Sequence, residues 1–153
     1  MKTLILGLGN PIRGDDGVGI RVAEELRRQI KDEDIEVQEA SVGGLGILDL
    51  IQGYDKVIIV DSIQTKDGQP GQIHRLKPSD LKSYIHTSWP HEVNLTTTLS
   101  LGDKLQLRMP KIINIYAVEI KDDITFAEEC TPEISKVVPK VVHQILSEEF
   151  GPV

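Results

Sequence analysis

The chain opens with a short apolar run, which is followed by a turn and then by a helical pattern. Leu4, Ile5 and Leu6 follow one another without helical spacing, and glycines stop the run at positions 7 and 9. Such a run is typical of a strand buried on both faces of a parallel sheet. Apolar residues then recur with helical spacing at Val22, Ala23, Leu26 and Ile30. We therefore predict a strand, then a loop, and then a helix. The predicted helix covers residues 16–31.

Strand and helix patterns alternate along the rest of the chain. Four β-branched residues at positions 57–60 predict a central strand that is covered on both faces. Further strands are predicted at residues 35–40, 72–76 and 112–118, with 72–76 at a sheet edge. Further helices are predicted at residues 47–51, from 78, at 93–101 and at 131–146, the last with Thr131 as N-cap and a kink at Pro139. This order predicts a single α/β domain over residues 1–153, a three-layer sandwich with a mostly parallel twisted sheet and helices on both faces.

Charge and composition narrow the class of partner. The chain has 24 acidic and 17 basic residues and a net charge of −7, which opposes binding to a phosphate backbone. We expect no nucleic-acid partner, and no membrane association because no apolar segment approaches the length of a span. The single cysteine, Cys130, cannot form an internal disulfide and suggests a reducing, cytoplasmic location. We interpret it as a small buried side chain before a helix.

The loop after the first strand is rich in glycine and aspartate. A dinucleotide fingerprint, G-x-G-x-x-G, would need a third glycine where the chain has Ile12. Asp15 and Asp16 also place negative charge where a pyrophosphate would bind, so no nucleotide site is predicted. One of the two aspartates is expected to cap the following helix. Gly17 and Gly19, which weaken a helix, indicate the close approach of a ligand or another chain segment.

Three polar residues lie at the predicted edges of elements. Asp16 follows the first strand, Asp61 ends the central strand, and His91 begins a helix. Two carboxylates and one imidazole could form a three-ligand metal site with open positions for water or substrate. The structural alternatives are that Asp61 bonds the backbone of its own loop and that His91 only starts a helix. The other histidines are interpreted as surface residues: His74, His86 and His143.

In combination these motifs resemble the maturation endopeptidases of nickel-iron hydrogenases. The motifs are Gly7-Leu8-Gly9-Asn10-Pro11, Asp15-Asp16-Gly17, the apolar strand ending in Asp61, and His91-Glu92. The resemblance implies a cytosolic peptidase that removes the C-terminal extension from the hydrogenase large subunit precursor after nickel insertion. It also implies that Asp16, Asp61 and His91 are the metal-binding and catalytic residues. Some members of the family have Glu where this chain has Asp16.

The resemblance further implies that nickel, carried by the substrate, is the recognition element. Two carboxylates and an imidazole suit a borderline divalent ion, so zinc or cadmium could occupy the same site. Cleavage could use a metal-polarised carbonyl, a metal-activated water or a carboxylate as general base. The zinc-protease motif H-E-x-x-H is absent from the sequence.

Two other classes of protein remain as alternatives. The Gly-Leu-Gly-Asn-Pro opening also resembles bacterial peptidyl-tRNA hydrolase, but that family has a catalytic histidine soon after the opening, and residues 17–31 contain none. A non-enzymatic α/β module could use the glycine loops to bind a ligand. That second alternative would be favoured if Asp16, Asp61 and His91 lay far apart.

Overall fold

A mostly parallel β-sheet forms the centre of the computed structural model, which describes residues 1–41, 45–83, 86–87, 95–121 and 126–151. The strands are β1 (Thr3–Leu8), β2 (Ile35–Ala40), β3 (Lys56–Gln64), β4 (Ile73–Leu76), β5 (His86–Thr87) and β6 (Ile112–Glu119). Their order is β2-β1-β3-β6-β4, with β5 paired to β3. The β4–β6 and β3–β5 pairs are antiparallel, and the other pairs are parallel. The predictions of a central β3 and an edge strand at β4 are therefore confirmed.

Helices cover both faces of this sheet. They are α1 (Val18–Gln29), α2 (Leu45–Ile51), α3 (Leu95–Lys104), α4 (Pro132–Ser135) and α5 (Val138–Phe150), with 3-10 turns at Gly14–Gly17 and Pro78–Ser83. One apolar core joins α1, α4 and α5 to the face that carries Ile58 and Val60. The other joins α2 and α3 to the face that carries Val57 and Ile59. The predicted single-domain, three-layer α/β architecture is confirmed, and among the residues described no helix is long and apolar enough to cross a membrane.

The start of α1 differs from the prediction. The chain first forms the 3-10 turn Gly14–Gly17, and the N-cap of α1 is Gly17, which makes no side-chain capping bond. The expectation that Asp15 or Asp16 caps this helix is therefore wrong. The Asp15 and Asp16 carboxylates instead accept hydrogen bonds from segments distant from the helix end.

A close contact with the strand backbone explains why the first turn of α1 contains Gly19, a residue of low helix propensity. A Cβ atom at Gly19 would lie 2.3 Å from the Val60 carbonyl oxygen and 2.5 Å from that of Leu8. The first turn of α1 can therefore pack directly on the ends of β1 and β3. Gly9 has φ +149°, and a Cβ there would lie 2.2 Å from the Asp16 carbonyl oxygen. The predicted close approach is thus made by the protein's own backbone.

Three predicted element ends are displaced in the structure. β3 continues past Asp61 to Gln64, because Ser62 and Ile63 still pair with β6. The predicted last helix is divided into α4 and α5, and Pro139 lies in the first turn of α5, where its missing N–H costs no helical bond. Helix α3 passes the predicted end at 102 and finishes at Lys104, while residues 93–94 lie outside the described residues.

Candidate active site

The candidate site lies at the carboxyl end of β3, between two β-ladders. Pairing between β1 and β3 ends at Gly7 and Val60, and pairing between β5 and β3 begins at Ile63. The opposite edge of β3 pairs with β6 as far as Ile63, so β5 lies on the β1 side. Asp61 and Ser62 therefore lie between the two ladders. We call this position the β1–β5 junction.

Asp16 reaches this junction from the loop that follows β1. Its side chain is almost fully buried, with 7% of the residue exposed. Its Oδ2 accepts a hydrogen bond from the Asn10 N–H at 3.0 Å, and its Oδ1 accepts one from the Ser62 hydroxyl at 2.8 Å. Both donors are neutral. A carboxylate has about four acceptor positions, so these bonds are compatible with further coordination of a metal ion.

Asp61 is buried at the same end of the sheet, with 3% of the residue exposed. Its Oδ1 accepts a hydrogen bond from the Ser62 N–H at 2.8 Å. The structural alternative given above, a bond to the adjacent backbone, is therefore present. This bond involves Oδ1 of the carboxylate. A carboxylate is also a group that binds divalent metal ions or protons.

Ser62 links the two aspartates and was not singled out by the sequence analysis. Its hydroxyl donates to Asp16 and its N–H donates to Asp61. Side chains alternate along a strand, so Ser62 lies on the α1 face with Val60, while Asp61 lies on the opposite face with Ile59. Ser62 therefore contacts both carboxylates, one through its hydroxyl and one through its backbone N–H. A hydroxyl residue beside a strand-end aspartate is the one sequence signal that could have identified it.

Asp15, the neighbour of Asp16, has a different set of partners. Its Oδ1 accepts the Thr131 N–H at 2.7 Å, and its Oδ2 accepts the Thr131 hydroxyl at 3.0 Å. The Thr131 hydroxyl therefore serves Asp15 and forms no capping bond within α4. Asp15 ties the loop after β1 to the segment before α4. This role is structural, so Asp15 differs in function from Asp16, which contacts Asn10 and Ser62.

Cys130 lies beside this contact. Its thiol is 3.6 Å from the Gly14 carbonyl oxygen and is partly buried. Burial, and to a smaller degree the negative charge of Asp15, raises the pKa of the Cys130 thiol to about 11. The side chain is therefore a neutral thiol near pH 7. The prediction of a small buried side chain holds only in part, because the residue is partly exposed.

The histidine predictions have mixed outcomes. His91 and the side chain of His86 lie outside the described residues, and His143 is exposed as predicted. The prediction of a surface position for His74 is wrong, because its side chain is 13% exposed and its Nε2 lies 3.1 Å from Glu119 Oε1. Strand β4 packs along β6 with His74 opposite Ala117, which brings the imidazole to Glu119. Over the described ranges no three His, Cys, Asp or Glu residues form a metal-binding group.

Two solved structures of proteolytic enzymes share this fold. An endopeptidase from Escherichia coli matches with a TM-score of 0.80 and 24% identity, covering 96% of this chain and 91% of that one. The NiFe hydrogenase maturation protease HybD from Thermococcus kodakarensis matches with a TM-score of 0.72 and 21% identity, covering 99% of this chain and all of that one (100%). At these identities the matches establish the fold.

Sequence comparison gives the family. The hydrogenase 2 maturation protease of Escherichia coli is 26% identical over 149 residues, which cover 96% of this chain and 90% of that protein. The family model described as hydrogenase maturation protease matches residues 20–148. The chain belongs to the hydrogenase maturation protease family and is a peptidase. This membership replaces the two alternatives, a peptidyl-tRNA hydrolase and a non-enzymatic binding module.

Proposed function

We propose that this peptidase removes the C-terminal extension from the large subunit precursor of a nickel-iron hydrogenase after nickel insertion. The observation that carries the proposal is the Ser62 link between two buried aspartates, Asp16 and Asp61. The chain runs from β1 to β2 on one side and from the neighbouring strand β3 to β4 and β6 on the other, so the connections after β1 and β3 leave in opposite directions. Open α/β sheets bind ligands beyond the carboxyl ends of strands at such a point.

The proposed metal-binding and catalytic residues are Asp16, Asp61 and His91. Thr87 pairs with Ile63 at the β1–β5 junction and is the last described residue before His91. Four residues of extended chain span at most about 14 Å, so His91 is within reach of the junction. Two carboxylates and an imidazole form a donor set that suits nickel, and zinc or cadmium could bind there as well.

Nickel enters this proposal as part of the substrate. Bound at the junction, it would polarise the scissile carbonyl or lower the pKa of a water molecule. The carboxylate of Asp16 or Asp61 then takes a proton from the attacking water and delivers it to the leaving amine nitrogen. The water oxygen forms the new bond to the carbonyl carbon as the C–N bond breaks. Ser62 holds Asp16 in place through this sequence.

As part of the same proposal, the enzyme acts in the cytosol. Reducing conditions suit its single free thiol, Cys130. The net charge of −7 supports a protein rather than a nucleic-acid substrate. The purified protein is accordingly expected neither to bind nor to hydrolyse peptidyl-tRNA.

Cleavage of the precursor with and without nickel tests the proposed function. Mass spectrometry should show C-terminal shortening of the nickel-loaded precursor and an intact nickel-free precursor. The His91→Ala variant should not process the precursor, because an imidazole supplies one of only three ligands. The matched control is His143→Ala, since His143 is exposed on α5 and its loss should leave processing unchanged.

Two outcomes would contradict this account. Equal cleavage of both precursors would exclude nickel as the recognition element. A His91→Ala protein that is unfolded in a thermal melt would show that His91 is a structural residue.

A further inference from the structure

We propose that the peptidase docks its substrate protein on a surface beside the Asp16 loop, formed by Ile12, Phe126, Glu128 and Glu129. We call this the docking surface. It accepts an apolar segment that is flanked by basic residues. The proposal rests on the proposed function, because the partner is the precursor that the peptidase cleaves.

The apolar part of the docking surface is a pair of neighbouring exposed side chains. Ile12 is 52% exposed and Phe126 is 73% exposed. A parallel bridge pairs Arg13 with Ala127, so the preceding residues, Ile12 and Phe126, lie side by side. Single exposed apolar residues are ordinary on a protein surface, whereas contiguous apolar patches rimmed by polar residues are typical of interaction sites. The Arg13 guanidinium lies 5.9 Å from the Phe126 ring centroid and supports one face of the ring.

The backbone holds this pair rigidly to the loop of the candidate active site. The Ala127 N–H donates to the Ile12 carbonyl at 2.9 Å, and the Gly14 N–H donates to the Ala127 carbonyl at 2.8 Å. Asp16 lies two residues after Gly14 and accepts the Asn10 N–H from the other side of the same loop. A segment docked on Ile12 is therefore held beside the loop that carries Asp16.

The charged part of the docking surface is a cleft of about 570 Å³, lined by Pro11, Ile12, Arg21, Glu128 and Glu129. Among the described residues of that lining, Arg21 is the cation, and its guanidinium is already engaged. Its guanidinium donates to the carbonyls of Pro11 and Glu128 and pairs with Glu24 at 3.1 Å.

The two glutamates of the cleft remain available to a partner. Glu128 and Glu129 are exposed. In the part of the chain that the structure describes, neither carboxylate forms an ion pair. Two glutamates without an ion-pair partner among the described residues thus lie beside an apolar pair, whereas Arg21 and Arg13 are engaged by an ion pair and an aromatic ring, respectively. This arrangement favours a Lys, Arg or protonated His side chain on the partner.

The same charge argues against a second copy of this chain as the occupant. In a two-fold dimer the same patch would face itself, and Glu128 and Glu129 would approach their own counterparts. Like charges at an interface are unfavourable, and the chain carries a net charge of −7. A substrate protein with a basic, apolar segment removes this conflict and covers the aromatic ring of Phe126. Buried aromatic side chains dominate the energy of many interfaces.

Binding of the precursor to the intact enzyme tests the docking surface. The Kd of the nickel-loaded precursor is measured by biolayer interferometry for the wild type, for Ile12→Ser with Phe126→Ser, and for Glu128→Lys with Glu129→Lys. Each double variant is expected to weaken binding at least about tenfold, and the charge reversal should also reduce the salt dependence of binding. All four side chains are exposed, so both variants should fold. A thermal melt verifies that they do.

Leu105→Ser is the matched control, because Leu105 is 57% exposed and lies after α3, in a different part of the molecule. It should bind the precursor within twofold of the wild type. Unchanged binding by both double variants, or equal weakening by Leu105→Ser, would overturn the docking surface. A wild-type dimer that Phe126→Ser dissociates would likewise overturn it in favour of self-association. A wild type that binds the precursor without cutting it contradicts the proposed function but not the docking surface.

Discussion

Two glutamates with equally buried side chains, near opposite ends of the sheet, have different partners. The side chains of Glu119 and Glu149 are each 2% exposed. Glu149 lies on α5 and pairs at 2.6 Å with Lys56, the first residue of β3. Glu119 is the last residue of β6 and accepts hydrogen bonds from the Thr65 N–H at 2.7 Å and the Thr65 hydroxyl at 2.6 Å, with His74 at 3.1 Å.

The difference indicates a division of labour between the two ends of the sheet. At the amino end, the charge of Glu149 is compensated by Lys56 and Arg75, and Tyr116 and Asn114 donate to it as well. At the carboxyl end, Ser62 and Asn10 bind Asp16 through neutral donors. These two bonds fix the position of the Asp16 carboxylate at the carboxyl end of the sheet. The carboxylate that we propose to be catalytic is therefore positioned differently from Glu149, which the Lys56 and Arg75 charges hold.

Replacing Asp16 should give the largest effect on activity. The Asp16→Asn variant keeps one oxygen for the Asn10 N–H and places an amide NH2 where Oδ1 stood, which can donate to the Ser62 hydroxyl, but it loses the negative charge. We expect precursor cleavage to fall at least about a hundredfold, which corresponds to about 2.7 kcal/mol of transition-state stabilisation. The melting temperature should change little. The cleavage rate and a thermal melt on the same preparation measure both quantities.

Asp15→Asn is the matched control for this change, because Asp15 is the adjacent residue and is equally buried, at 6% exposure. Loss of one Thr131 bond should cost about 1–2 kcal/mol of unfolding free energy. Cleavage should remain within about tenfold of the wild type. If both variants lost activity equally, the separation of Asp16 from Asp15 would be wrong.

Replacing Glu149 should affect stability and leave cleavage unchanged. Glu149→Gln removes the counter-charge of Lys56, whose side chain is only 14% exposed. Breaking a buried ion pair in this way costs about 3 kcal/mol, somewhat less if Lys56 moves towards solvent. Denaturant unfolding measures this loss. A comparable loss of cleavage activity would contradict the division of labour between the two ends.

The stabilisation by Glu149 should depend on pH in a defined direction. Burial tends to raise the pKa of Glu149, but hydrogen bonds from Lys56, Tyr116 and Asn114 outweigh it and leave the pKa below the ordinary value of 4.5. A lowered carboxyl pKa stabilises the folded state above the unfolded pKa, and this stabilisation is lost as the pH falls through the folded pKa. The stability difference between wild type and Glu149→Gln should therefore be full at pH 7 and shrink below about pH 4.5. A constant difference from pH 7 to pH 3 would contradict this origin.

The sequence was informative about the fold because the relevant signals are local. The apolar runs in β1 and β3 and the helical spacing in α1 predicted their elements directly. Boundaries were less predictable, since β3 extends to Gln64 only because β6 continues to pair with it.

Within the site, Asp16 and Asp61 could be selected from residue type and position at strand ends. The role of Ser62, the partner of Asp15 and the burial of His74 could not be predicted, because each depends on a contact between segments distant in sequence. Thr131, for example, is 116 residues from Asp15.

The smallest expected effect concerns Cys130, whose thiol pKa responds to the negative charge of Asp15. Burial, followed by the Asp15 charge, raises the pKa of the Cys130 thiol to about 11, against an ordinary value of 9.0. Two pKa units correspond to about a hundredfold smaller thiolate population near pH 8, so iodoacetamide should alkylate Cys130 about a hundredfold more slowly than an ordinary thiol. Asp15→Asn should speed alkylation only a few-fold, because burial is the larger cause. Mass spectrometry of the alkylated protein over time gives both rates. If Asp15→Asn left the rate unchanged while the fold persisted, the Asp15 carboxylate would not act on the Cys130 thiol, and burial alone would account for its slow alkylation.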